Sequence, residues 1–247
     1  MFQFPETPTD DTIIWRYIGL DKFLDLLLTN TIKFTLTTIA SDKNEIKWIL
    51  KNLENSSEYK THGDSAKRYI EKLRNTTYIS CWTMKENESR ALWSTYLDNN
   101  KQGVAIKSTV GQLTNSITCD DFSLNCKIVD YRNNFNFEEL QSGDIIINTK
   151  NKAYIEESEV RFSVYLPDSN IPNHPNLEDY IKIEERKLSK RSDDKKIITF
   201  DINLDLLTAN IMIPPYCSDW QKNNLVQLIK DYKPELLDRI IDSTINE

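Results

Sequence analysis

Carboxylates and basic side chains lie close together in residues 150–166, KNKAYIEESEVRFSVYL. The alternation that begins at Glu159 predicts a strand, with Glu159 and Arg161 on one face and Val160 and Phe162 on the other. The apolar face is expected to enter the core. The charged face is either exposed, which is the commoner fate of charged strand residues, or lines a cleft in which carboxylate and guanidinium support each other.

Aromatic residues form a second group, which begins in residues 78–83, YISCWT. This run predicts a strand with Ser80 and Trp82 on one face, while its alternate residues enter the core. The helix expected after it carries Trp93 and Tyr96 on neighbouring turns. Such aromatic residues are more often core than ligand platform, but the Ser80 hydroxyl on the face of Trp82 would need a partner if buried. We therefore predict that this face borders a pocket.

Composition excludes several functional classes. With 38 acidic and 31 basic residues the formal net charge is −7, which disfavours broad binding to duplex DNA or to an anionic membrane. Only 5 glycines are present, and neither G-x-G-x-x-G, a Walker phosphate loop nor G-x-S-x-G occurs. The 4 cysteines lack a C-x-x-C pair and there are 2 histidines, so no metal site is expected and a histidine-based triad is disfavoured.

Neither a leader peptide nor a membrane span is expected. The N-terminus has no basic segment followed by an apolar run. Elsewhere, no stretch approaches the roughly 20 apolar residues that cross a bilayer. We therefore expect a soluble, cytoplasmic protein without a membrane partner.

Hydrophobic periodicity predicts an α+β fold with a central mixed, largely antiparallel sheet flanked by helices. The N-terminal part indicates a strand, a helix and a strand, and two helices follow in residues 41–75. Later strands are expected in QGVAIKST, CKIVDY, EVRFSVYL, KIITFDI and ANIMIP. We expect one domain over residues 1–247, with residues 1–12 as a flexible segment and residues 221–247 as C-terminal helices packed on it.

Specific signals predict where several helices begin. Thr83 with Glu86, and Ser218 with Gln221, each have the spacing of a capping box. A helix is also expected through INTKNKAYIEES. The final segment, PELLDRIIDSTI, has a proline at its start and an apolar stripe, which together predict an amphipathic helix.

Six landmarks follow one another in a set order: IWRYIGLDKFLDLLLTNTIKFT, YISCWT, ALWSTYLDNNKQGVAIKST, CKIVDY, TKNKAYIEESEVRFSV and ANIMIPPYCSDW. In order and spacing they resemble the bacterial family catalogued as domain of unknown function 2971. Its members show an aromatic-basic-Tyr start, a C-F/W-S/T strand, an M/L-W-x-x-Y helix, a G-V/I-A-I strand and a Lys followed by E-x-E-x-R. The resemblance extends from Trp15 to about Trp220. One departure is the family's Asn-Asp-Pro-Phe-Glu stretch, for which this chain has IASDKNEIKWI.

The same layout is similar to that of ADP-ribosyltransferases that act on nucleic acid or protein, in a toxin or defence role. This similarity implies that NAD is a substrate and that a late glutamate, Glu159, stabilises the oxocarbenium ion. Basic and aromatic residues near the start would anchor NAD phosphate or ribose, and a serine with aromatic residues would hold the nicotinamide. The first role falls to Arg16 and Tyr17, and the second to Ser80, Trp82 and Tyr96.

Two other functions are open. In the first, the same residues form a non-catalytic module for a nucleotide, a nucleic-acid end or a partner protein. Its cations, Arg16, Lys150 and Arg161, would then bind phosphate or carboxylate while Trp82 and Trp93 stack. Glu156 would belong to the same ligand site.

The second is a nuclease, which requires clustered carboxylates that hold Mg²⁺. Glu156 with Glu159, or Asp120 with Asp121, could supply them.

Overall fold

The computed structural model describes residues 4–40, 43–97, 102–119, 121–166, 183 and 185–245. Strands occupy β1 (Ile13–Gly19), β2 (Thr31–Leu36), β3 (Thr77–Met84), β4 (Gly103–Thr109), β5 (Asn125–Ile128), β6 (Asp130–Arg132), β7 (Thr149–Asn151), β8 (Glu159–Tyr165), β9 (Ile197–Asp201), β10 (Asn210–Ile213) and β11 (Ile240–Asp242). Helices include α1 (Leu20–Thr29), α2 (Thr37–Ala40), α3 (Lys43–Glu54), α4 (Tyr59–Arg74), α5 (Arg90–Leu97), α6 (Val110–Ser116), α7 (Gly143–Ile147), α8 (Leu204–Leu207) and α9 (Asp219–Tyr232). Three 3₁₀ helices span Phe137–Gln141, Lys152–Glu157 and Pro234–Arg239.

The fold is α+β, as predicted: helices flank a mixed sheet whose strand pairs are mostly antiparallel. By its internal contacts the chain divides into two compact units. Unit 1 comprises residues 1–7, 33–81 and 119–199, and unit 2 comprises residues 8–32, 82–118 and 200–247. The expected single domain, with its flexible segment at residues 1–12, stays a prediction.

Unit 1 is built on the strand order β5-β8-β3-β2-β9. In β8 every residue from Glu159 to Ser163 is buried, so its charged face is covered as fully as its apolar face. Beside this sheet, apolar side chains of α3, α4 and α7 form a buried cluster that includes Ile49, Leu53 and Ile70. Ile49 and Leu53 are four residues apart on α3, and Ala66 and Ile70 are four residues apart on α4, so each helix has an apolar stripe that faces the core.

Unit 2 has the strand order β11-β10-β4-β1-β3, to which β3 contributes its C-terminal end. β1 and β4 pair along their whole length, from Ile13 opposite Thr109 to Gly19 opposite Gly103. α1 follows β1 directly and ends at Asn30, whose left-handed backbone places its N–H on the carbonyl of Leu26. The predicted strand, helix and strand of the N-terminal part are therefore confirmed.

The predicted start of α5 is wrong. Thr83 does not cap a helix but continues β3, where it pairs with Trp15 of β1. The helix begins later, at Arg90. Strand pairing satisfies backbone groups that the local capping signal would otherwise have used, so a tertiary contact overrides the local pattern. The second capping box, Ser218 with Gln221, is confirmed at the start of α9.

Two predicted helices are also wrong. The stretch INTKNKAYIEES divides into β7 and a 3₁₀ helix, because Lys150 pairs with Tyr131 of β6. The final segment forms the 3₁₀ helix Pro234–Arg239, and its isoleucines then enter β11, where Ile240 pairs with Ile211. Isoleucine is β-branched and favours strands, so a neighbouring strand edge decides its conformation.

Candidate functional site

Five charged side chains of unit 1 form one buried group, which we call the ionic cluster. Its members are Glu45, Lys150, Glu157, Glu159 and Arg161. β8 supplies two of them, and α3, β7 and the 3₁₀ helix Lys152–Glu157 supply one each. The formal charges are three negative and two positive, which leaves a net charge of −1.

The ammonium group of Lys150 lies at the centre of the cluster. Its Nζ is 2.9 Å from Glu45 Oε1, 2.6 Å from Glu157 Oε2 and 2.7 Å from Glu159 Oε2. A lysine has three N–H donors and no acceptor. Two of the three carboxylates, those of Glu157 and Glu159, accept hydrogen bonds from Lys150, and the third, that of Glu45, lies within ion-pair distance.

Arg161 binds the same carboxylates from the side of the sheet. Its Nε donates to Glu159 Oε1 at 2.8 Å, and Nη2 donates to both oxygens of Glu45 at 3.1 and 3.2 Å. Nη1 donates to the carbonyl of Ile147. Both oxygens of Glu159 are bound within the cluster, so this carboxylate is held in one orientation.

Burial and charge act in opposite directions on the pKa values of the cluster. Burial would raise the pKa of Glu159, but the charges of Arg161 and Lys150 outweigh it and lower that pKa to about 2. Burial would likewise lower the pKa of Lys150, whereas the carboxylates of Glu159 and Glu45 raise it above its ordinary value. Glu159 and Lys150 are therefore both charged throughout the neutral pH range.

Glu157 is the accessible carboxylate of the cluster. About a third of its side chain is exposed, 31%, against 6% for Glu159. Lys150 binds its Oε2, and no described residue donates to its Oε1. Glu156, the preceding residue, is exposed and makes no ion pair with a described residue. Of the two carboxylates, Glu157 is therefore the one that a bound molecule can contact, since Glu159 is buried.

Further polar groups surround the cluster. The Cys81 thiol donates to Glu159, and burial together with that carboxylate raises the pKa of Cys81 well above its usual value. The hydroxyl of Tyr131 accepts the backbone N–H of Glu159 at 2.8 Å. Two buried oxygens, Asn148 Oδ1 and Thr149 Oγ1, lack a partner among the described residues. Buried acceptors of this kind are rare in proteins, and a bound water or ligand can satisfy them.

The aromatic residues of the predicted pocket lie in unit 2, whereas Ser80 lies in unit 1. Trp93 packs edge-on against Tyr17, with ring centroids 4.9 Å apart, and both are buried. Tyr96 also stacks on Tyr17, with ring centroids 6.3 Å apart, and is 51% exposed. The Arg16 guanidinium lies 5.6 Å from the centroid of buried Trp82. These tryptophans belong to the core, and Tyr96 alone of the predicted aromatic residues presents an exposed ring.

Tyr17 also receives a backbone hydrogen bond, from Ser89 at 2.9 Å. Burial nevertheless raises the pKa of Tyr17 to about 12, so its phenol stays protonated at neutral pH. It can hold its neighbours but does not serve as a base near pH 7.

The predicted site residues therefore fall into two groups. Lys150, Glu159 and Arg161 meet in unit 1, while Arg16, Tyr17, Trp82, Trp93 and Tyr96 lie in unit 2. Ser80 belongs to unit 1 and is buried. Because β3 has neighbours on both edges and covered faces, Ser80 is as buried as Ile79, which was expected in the core.

Sequence reasoning missed Glu45, which supplies the third carboxylate. Its position in the chain is 116 residues before Arg161, and only the packing of α3 brings the two together. The predicted resemblance offered one signal: under it, Glu45 lies in the stretch that would correspond to the family's Asn-Asp-Pro-Phe-Glu, which also contains a glutamate.

The carboxylate pairs named for the nuclease hypothesis do not form a metal site among the described residues. Asp120 lies outside the described residues, and Asp121 forms an ion pair with Arg186. Although carboxylates converge on Lys150, the described part of the chain contains no group of acidic, cysteine or histidine side chains placed to hold a metal ion.

Comparison with protein families, curated proteins and solved structures found no match to this chain. The similarity to the domain of unknown function 2971 family stays a prediction from the landmarks. Within the described residues, none of the helices has the length and apolar content needed to cross a membrane.

Proposed function

We propose that the protein is an ADP-ribosyltransferase-like enzyme in which Glu157 is the catalytic carboxylate and the rest of the ionic cluster positions it. The observation that supports this proposal is the geometry of Glu157: one oxygen is held by Lys150 at 2.6 Å, and the other has no donor among the described residues. Glu159, with both oxygens bound, becomes a positioning residue.

The reaction would need little more than this carboxylate. The bond between ribose C1′ and the nicotinamide nitrogen of NAD breaks, and its electron pair leaves with nicotinamide. A carboxylate beside C1′ stabilises the positive charge that develops on the ribose. A nucleophile of a nucleic acid or protein then forms the new bond to C1′ and releases its proton to water.

The roles of Arg16, Tyr17, Ser80, Trp82 and Tyr96 in binding NAD belong to the same proposal and rest on the resemblance alone. So do a bacterial origin and a toxin or defence role, whereas a cytoplasmic location rests on the sequence composition. Glu156 and Trp93 were also predicted as ligand contacts. Glu156 is exposed and forms no ion pair with any residue that the structure describes, and Trp93 is a core residue.

The test is nicotinamide release from NAD in the presence of RNA, DNA and protein acceptors. Glu157→Gln keeps the size of the side chain but removes its charge, so we expect it to abolish release. Glu156→Gln is the matched control, since the same change one residue earlier affects an exposed side chain outside the cluster. Release at the wild-type rate by Glu157→Gln would contradict the proposal.

The alternative function is a non-catalytic binding module for a nucleotide, a nucleic-acid end or a partner protein. Tyr96 favours it, because its ring is exposed and stacked on Tyr17 and so can stack on a base. The predicted role of Lys150 and Arg161 as phosphate ligands is disfavoured, because both cations already bind carboxylates. A thermal shift with nucleotides but no nicotinamide release would support the binding module.

A further inference from the structure

The carboxylate of Glu88 in unit 2 gathers hydrogen bonds from the C-terminal segment. Its Oε2 accepts from the Ser243 hydroxyl at 2.6 Å, and its Oε1 accepts from the Thr244 backbone N–H and hydroxyl at 2.5 and 2.8 Å. The indole N–H of Trp93 donates to Oε2 at 2.8 Å. Burial would raise the pKa of Glu88, but these bonds together lower it, so the carboxylate is charged at neutral pH.

Residues 240–245, which we call the strap, have few other attachments. Their strand, β11, is the edge of the sheet among the described strands and pairs with β10 over three residues. Ile241 and Ile245 are only partly buried. The ion pair between Asp242 and Lys222 is exposed, and pairs of that kind contribute little.

The strap covers residues that are themselves fully buried. Ile241 and Ile245 pack against a cluster that includes Trp93 and Met212. Before the strap, the guanidinium of Arg239 binds Asp205 and the carbonyl of Thr208, which holds the start of the strap in place. The strap has a firmly held start, a short edge strand and side-chain bonds to other described residues that, apart from the exposed pair of Asp242 with Lys222, converge on Glu88. These are features of a segment that opens locally.

We infer that residues 240–245 form a strap that opens as one unit while the rest of unit 2 stays folded, and that Glu88 is the latch that keeps it closed. Opening uncovers the edge of β10 and the face of Trp93, one of the residues predicted to contact a ligand. The inference does not depend on the proposed enzyme activity, whose catalytic carboxylate is in unit 1.

Hydrogen exchange of the full-length protein tests the latch. Glu88→Gln replaces two acceptor oxygens by one and turns an NH₂ donor toward the donors of the strap. We expect the amides of residues 240–245 to exchange about tenfold faster or more, because a hydrogen bond to a charged group contributes at least that factor. The matched control is Glu86→Gln, which changes an exposed carboxylate two residues away.

A second variant leaves the carboxylate intact. Ser243→Ala combined with Thr244→Val removes two hydroxyl donors of the strap, and we expect the same local acceleration and greater quenching of tryptophan fluorescence by acrylamide. Exchange at the wild-type rate in both variants would overturn the latch. Acceleration spread evenly over α9, β4 and β10 would overturn the strap as an independent unit.

Discussion

The ionic cluster of unit 1 and the Glu88 latch of unit 2 stabilise their carboxylates in different ways. In the cluster one ammonium serves three carboxylates, and charge is balanced by charge in the interior. In the latch one carboxylate accepts from neutral donors, which are the indole of Trp93 and groups of Ser243 and Thr244. Removing a member of the cluster leaves a buried charge, whereas removing a member of the latch leaves a polar group that water can reach. The comparison predicts a larger loss of overall stability from changes in the first region than from changes in the second.

The largest effect is expected from Arg161→Met. Methionine fills a similar space, but Glu45 and Glu159 are then left with Lys150 as their one shared cation, and the net charge of the buried cluster changes from −1 to −2. An unpaired buried charge typically costs about 3–5 kcal/mol in the free energy of unfolding. Urea unfolding measures this change.

The control for that variant is Arg186→Met, which breaks an exposed ion pair with Asp121. Exposed pairs contribute less than about 1 kcal/mol. Equal losses of stability in the two variants would show that burial of the cluster has no energetic weight.

Stability at acid pH should also depend on the cluster. The pKa of Glu159 falls from 4.5 to about 2 on folding, so the ionised carboxylate stabilises the fold above pH 4.5. That contribution, about 3 kcal/mol for a difference of about 2.5 in pKa, is lost as the pH falls toward 2. Unfolding measured between about pH 5 and pH 2 should show a weaker pH dependence in Glu159→Gln. Parallel curves for variant and wild type would contradict this prediction.

The smallest of the three effects is expected from Trp93→Phe in the latch. Phenylalanine keeps one aromatic ring, but the change removes both the indole N–H that binds Glu88 and the volume of the second ring from a buried position. Together these losses should cost about 2 kcal/mol in the free energy of unfolding. Trp220→Phe is the control, because Trp220 is 60% exposed and should change stability by less than about 0.5 kcal/mol. If both variants unfold at the same urea concentration, the bond from Trp93 does not stabilise the protein.

Local pattern was sufficient for much of the fold. The alternation of β8 correctly placed Glu159 and Arg161 on one face, because side chains of a strand alternate whatever packs against them. The capping box at Ser218 was also correct, since both of its partners lie within one helical turn.

Tertiary structure decided what covers each face. The alternation of β8 could not show whether Glu159 and Arg161 meet water or other charges, because Glu45 arrives on α3 from a distant part of the chain. Nor did the local pattern show that β11 is a strand, because its isoleucines also fit a helical pattern and only the neighbouring edge of β10 decides between the two. The sequence by itself determined the periodicities and the residues that share a face. Burial, the partners of each charge and the partial exposure of the Glu157 side chain depend on long-range packing, which no local pattern records.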